Sequence, residues 1–108
     1  MSATTIRADV EIMTLVNVFT VEPPQQQELV DVLVEATDEV MQTLPGFVSA
    51  NIHRSLDGRH VVNYAQWRSQ EDFAAMRENP AVGAHMARAA GLAQFTPIVC
   101  EVVHTRQA

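Results

Sequence analysis

The chain is short of the residues that build most dedicated chemical centres. It holds a single cysteine, Cys100, among 108 residues, so an internal disulfide is excluded and no second thiol exists for a thiolate zinc or iron–sulfur site. Cys100 lies in the apolar run IVCEVV and reads as a small core residue. The four histidines, His53, His60, His85 and His104, are dispersed without HxH or HExxH spacing, which argues against a dedicated metal centre. There are only four glycines, and neither GxGxxG nor another phosphate-cradling loop is present. A GxSxG nucleophile elbow, a Cys–His motif and paired carboxylates on one strand face are equally absent.

Positive charge is scarce as well. Seven basic residues against thirteen acidic ones give a formal charge of −6. The arginines are scattered, so nucleic-acid backbones and anionic membrane surfaces are unfavourable partners. No apolar run is long enough to span a bilayer, and residues 1–10 (MSATTIRADV) lack the apolar region and cleavage pattern of a secretion signal. A cytoplasmic protein is expected.

What remains is a sequence built to fold. Nearly half of it, 47%, is hydrophobic, and its length fits one compact domain. We read residues 1–10 as an N-terminal extension and 11–108 as a single domain. Residues 11–21 (EIMTLVNVFTV) are β-branched and apolar on both alternating faces, the pattern of a strand covered on both sides. After Pro23–Pro24, a helix is expected over about 25–43, with Leu29, Val32, Leu33, Ala36, Val40 and Leu44 at spacings of three and four. Its acidic face, Asp31, Glu35, Asp38, Glu39 and Gln42, reads as solvated. Pro45–Gly46 breaks the helix before a second strand, FVSANIHRS. Asp57–Gly58 then suits a tight hairpin turn into a third strand, HVVNYAQW. Ser69 with Asp72 three residues on reads as a variant capping box opening a second helix, interrupted at Asn79–Pro80 and resumed to Gly91. Pro97 is expected to precede the last strand, IVCEVVHT.

The order β-α-β-β-α-β is that of an α+β, ferredoxin-like fold with a four-stranded antiparallel sheet. Its helices cover one sheet face only. The other face is expected to carry Ile12, Val16, Val18, Val62, Tyr64, Val99 and Val103, among Thr14, Thr20, Gln66 and Glu101. That is too much apolar surface for water, and a homodimer packed sheet against sheet would bury it.

Alternation places Val61, Asn63, Ala65 and Trp67 on one side of the third strand. An amide costs about 1–3 kcal/mol to bury unpaired, so Asn63 among apolar neighbours is either a structural hydrogen-bonding group or part of a cleft. Asn63 and Trp67 would lie roughly 13 Å apart along the strand, a span suited to one flat aromatic ligand. Phe19, Phe73, Met76 and Met86 are positioned either to line the same cleft or to fill the core. His85 reads as a surface residue, a cleft base or a ligand. Arg77 and Arg88 read as solvated side chains, or as partners for a substrate carboxylate.

The stretch PGFVSANIHRSLDGRHVVNYAQW, with the capped helix after it, resembles the antibiotic biosynthesis monooxygenase family over about residues 13–104. It is most similar to the small anthrone oxygenases of the actinorhodin and nogalamycin type. The resemblance implies a dimeric α+β barrel that oxidises an anthrone-type polycyclic aromatic substrate with molecular oxygen and no metal, flavin or haem. It implies catalytic roles for Asn63 and Trp67, whose N–H groups would stabilise the substrate enolate. Phe19, Phe73, Met76, His85, Met86 and Arg88 are the expected substrate-binding residues. Two departures from the family pattern stand out. Phe73 occupies the place of a tyrosine, and a helix arginine of the family falls near Met86, with Arg88 two positions on. Two other readings accompany it: a haem-degrading monooxygenase of the same fold, and a non-catalytic dimeric module that binds an aromatic metabolite.

Overall fold

A computed structural model describes residues 2–108. Strand β1 (Met13–Val21) is followed by helix α1 (Gln26–Glu39), then by β2 (Phe47–Arg54) and β3 (His60–Trp67). Helices α2 (Gln70–Arg77) and α3 (Pro80–Leu92) lead into β4 (Ala93–Cys100). The sheet order is β2-β3-β1-β4, antiparallel throughout, the arrangement expected of a split βαβ fold.

Local chemistry accounts for most element ends. Pro23 and Pro24 open a short 3₁₀ turn ahead of α1, where a missing N–H costs nothing. The Ser69 hydroxyl accepts the Asp72 N–H at 3.1 Å and donates to Asp72 Oδ2 at 3.0 Å, closing the cap of α2. Arg68 forks onto the same carboxylate at 2.9 and 3.1 Å. Those bonds from Arg68 and Ser69 hold the Asp72 carboxyl below its ordinary pKa. Gly46, at φ +81°, leads the chain past this cap, and a Cβ there would collide with the Asp72 side chain. Asn79 caps α3 by accepting the Ala81 N–H at 2.9 Å, with Pro80 in the first turn.

Four expectations are corrected. The hairpin is not a two-residue turn with two positive φ angles. Only Gly58 has one, and Gly58 N–H reaches back to Ser55 O at 3.2 Å in a longer loop. The last strand begins at Ala93 and ends at Cys100, so Pro97 lies inside it, opposite Asn17. An edge strand tolerates a proline because one side of it has no ladder to satisfy. This register sets Val99 opposite Leu15, on the helix side, and Ile98 opposite Val16 on the outer side. Ile98 therefore takes the place expected of Val99, while Glu101 and Val103 lie beyond the strand. Cys100, at the strand's end, is half-buried rather than in the core.

The core fills the space between sheet and helices. Met13, Leu15, Ala65 and Trp67 pack with Phe73, Met76 and Val82 at one end, and Phe19, Val21 and Val61 with Leu29, Val32, Leu33 and Ala89 at the other. On the outer face, the N-terminal segment lies over one end of the sheet. Gln66 Nε2 donates to Thr5 O at 3.0 Å, and Thr4 Oγ1 donates to Asn51 Oδ1 at 2.5 Å. Val16, Val18, Val62 and Tyr64 are half-buried, and Ile98 keeps 48% of its surface exposed.

Candidate functional site

Between the two ends of the core lies a cavity of about 250 Å³, floored by β1 and β3 and roofed by α1, α2 and α3. Leu15, Phe19, Ala65, Trp67, Met76 and Met86 contribute to an apolar lining. Into this lining the register sets two amides directly opposite each other, Asn17 on β1 and Asn63 on β3. Among the described residues, three buried side-chain oxygens have no hydrogen-bond partner: Thr14 Oγ1, Asn17 Oδ1 and Asn63 Oδ1. Two of the three therefore belong to this pair. An unmatched buried acceptor costs about 1–3 kcal/mol, a cost the sheet carries twice within one cavity. Asn63 is thus not a structural amide satisfied by a neighbouring loop.

Trp67 is 1% exposed. Phe47 meets it edge-on, with ring centroids 5.5 Å apart at 85°, and Phe73 packs on it at 6.3 Å. These contacts fix the indole plane. At the far end, Phe19 and Phe95 stack at 5.3 Å with a 39° tilt, so the edge strand also supplies an aromatic wall. The one charged side chain in the lining is Arg77, whose guanidinium lies 5.8 Å from the centre of the Phe73 ring. A cation in that position is held by the ring quadrupole while remaining open to solvent.

The structure gathers Asn63, Trp67, Phe19, Phe73, Met76 and Met86 around one cavity, as expected from the sequence. It does not bring His85 or Arg88 there. His85 Nε2 lies 3.7 Å from Glu35 Oε1 on α1, and Arg88 binds the other oxygen of that carboxylate at 3.1 Å. The lining contains no histidine and no carboxylate, so the cleft offers neither an axial imidazole for haem nor a side-chain general base. Asn17 is the residue that sequence reasoning missed. Its signal was an amide interrupting the inward row Met13, Leu15, Phe19 and Val21, the same anomaly that marks Asn63.

Comparison with known proteins agrees with this fold. The antibiotic biosynthesis monooxygenase family matches residues 12–88. Tetracenomycin-F1 monooxygenase of Streptomyces glaucescens is 48% identical over 101 residues, covering 94% of this chain and 90% of that protein. Among solved structures, the ActVA-Orf6 monooxygenase of Streptomyces coelicolor, determined with nanaomycin D, superposes with a TM-score of 0.81 at 26% identity, over 89% of this chain and 91% of that one. SnoaB, a cofactor-independent oxygenase from Streptomyces nogalater, shares the fold with a TM-score of 0.67 at 22% identity, over 92% and 97% of the two chains.

Proposed function

Because the chain belongs to the antibiotic biosynthesis monooxygenase family, we propose that its cavity oxidises an anthrone-type polycyclic aromatic intermediate of polyketide biosynthesis to the corresponding quinone. Molecular oxygen is the co-substrate, and no metal, flavin or haem takes part. The observation that carries this reading is the pair of amides, Asn17 and Asn63, sharing a largely apolar cavity with Trp67.

The chemistry follows from what an anthrone is. Loss of a proton from its methylene group gives an aromatic, delocalised enolate, and that anion is electron-rich enough to reduce oxygen directly. The amide N–H groups and the indole N–H are donors suited to the enolate oxygen, and an apolar cavity strengthens such bonds. One electron passes from the enolate to oxygen, the radical pair combines to a peroxide anion at the former methylene carbon, a proton returned from water converts it to the hydroperoxide, and loss of water leaves the carbonyl. One oxygen atom enters the product and the other leaves as water. With no carboxylate or imidazole in the lining, the first proton passes to water. Arg77 at the cavity wall supplies the positive charge that an anionic ring system attracts, on a molecule of net charge −6.

We further propose that two copies pack through the outer sheet face, burying Val16, Val18, Val62, Tyr64 and Ile98. The test of the activity is an oxygen-electrode assay of chelator-treated, dialysed protein with dithranol, measured against the spontaneous oxidation of the same anthrone. Oxygen uptake well above that background is expected. Tight binding of the anthrone without faster oxidation would overturn the reading in favour of a binding module, and recovery of lost turnover only on adding flavin, iron or haem would overturn its cofactor-free part.

A further inference from the structure

A second constellation lies outside the cavity, where α1 meets α3. Glu35 and Glu39 stand one turn apart on α1, and His85 faces them from α3, with one ligand atom of each within 4.8 Å of the others. His85 is 14% exposed, and its Nδ1 lies 2.9 Å from Ala81 O, one turn back on its own helix. A carbonyl only accepts, so Nδ1 carries the proton. In the neutral ring, Nε2 then presents its lone pair to a carboxylate oxygen, Glu35 Oε1, 3.7 Å away. Two acceptors facing each other repel unless either a second ring proton, which makes an ion pair, or a metal ion lies between them. Arg88 occupies Glu35 Oε2 at 3.1 Å, which orients the carboxylate and leaves Oε1 turned toward the imidazole.

We propose that Glu35, Glu39 and His85 form a binding site for a divalent transition metal that ties α1 to α3. The donor set of one imidazole and two carboxylates suits zinc or cobalt, with water completing the coordination. Bonds of about 2.0–2.2 Å place two donors on one ion at most about 4.4 Å apart, so a small swing of the exposed Glu39 side chain completes the set. The hydrogen bond from Nδ1 to Ala81 O fixes the tautomer that ligation by Nε2 requires, and Arg88 supports the ligating carboxylate from behind. The ion plays no part in the oxidation. Its place is structural: the chain neighbours of its ligands, Ala36 and Met86, line the cavity roof, so loading the site clamps two roof helices together.

The test uses the full chain, stripped with chelator and dialysed, and titrated with Zn²⁺ alone by calorimetry and with Co²⁺ alone by visible absorption. One ion per chain and a higher melting temperature with zinc are expected. Glu39→Gln and His85→Gln should each weaken zinc binding at least tenfold and remove the thermal shift, while their metal-free melts match the wild type. Glu39 is exposed, so its variant carries the test if His85→Gln fails to fold. Absence of saturable binding, or binding that survives Glu39→Gln unchanged, would overturn the site. Because the readout is metal binding, its outcome is separate from that of the oxygen assay.

Discussion

If Asn63 donates to the enolate as proposed, one side chain links stability and chemistry. Its carbonyl oxygen is buried without a partner, so removing the amide relieves a penalty instead of breaking a bond. Asn63→Ala is therefore expected to keep or raise the melting temperature while lowering anthrone turnover by on the order of 10²-fold, the loss typical of one preorganised donor. Trp67→Phe keeps a ring against Phe47 and Phe73 and removes the indole N–H, so a comparable or smaller loss of turnover is expected. Rate and melting temperature measured on the same preparations separate the two roles. Equal turnover in both folded variants would remove them from the mechanism. Asn63 was legible in the sequence because it breaks an alternating strand. Asn17 was not, because β1 is apolar on both faces and alternation alone does not tell its inner side. Only the register with β3 brings the two amides together.

At the scale of elements, the loop before β2 and the cap of α2 form one unit. Gly46 O accepts the Arg68 N–H at 2.7 Å, and the space its missing side chain leaves is filled by Asp72. Gly46→Ala faces both a positive φ and a collision. It is expected to destabilise by more than about 1 kcal/mol, read as a shift of the denaturation midpoint. The depressed Asp72 carboxyl adds a pH dependence. Its folded pKa lies below the unfolded value of about 3.9, so its contribution is present above that pH and is lost as pH falls through the folded value. Wild type and Asp72→Asn should therefore differ in melting temperature near neutrality and converge on acidification below about pH 4. If the gap stays constant down to pH 2, Asp72 does not titrate with the fold. The caps and turn glycines of this region were readable because each residue acts on its immediate neighbours. The start of β4 was not. In the sequence Pro97 reads as a strand breaker, and that rule fails on an edge, a position only the assembled sheet defines.

For the whole molecule, the one-sided helix layer was legible from element order alone. Which β4 residues lie on the outer sheet face was not, since a strand displaced along the sequence changes which side chains point outward. Val62→Lys places a charge in the middle of that face. The wild type is expected to sediment as a dimer at micromolar concentration and the variant as a folded monomer; a wild-type monomer would overturn the sheet-to-sheet arrangement. Strand β3 alternates strictly between two jobs: Val62 and Tyr64 point to the outer face, Val61, Asn63 and Ala65 to the inner. The proposed subunit contact and the proposed substrate contact are thus separated by the thickness of one backbone. Linkage then requires that if pairing the subunits alters affinity for the anthrone, the anthrone alters the strength of pairing by the same factor. If pairing favours anthrone binding, specific activity at sub-saturating anthrone falls on dilution and recovers when substrate is raised, a concentration dependence that a monomeric catalyst would not show.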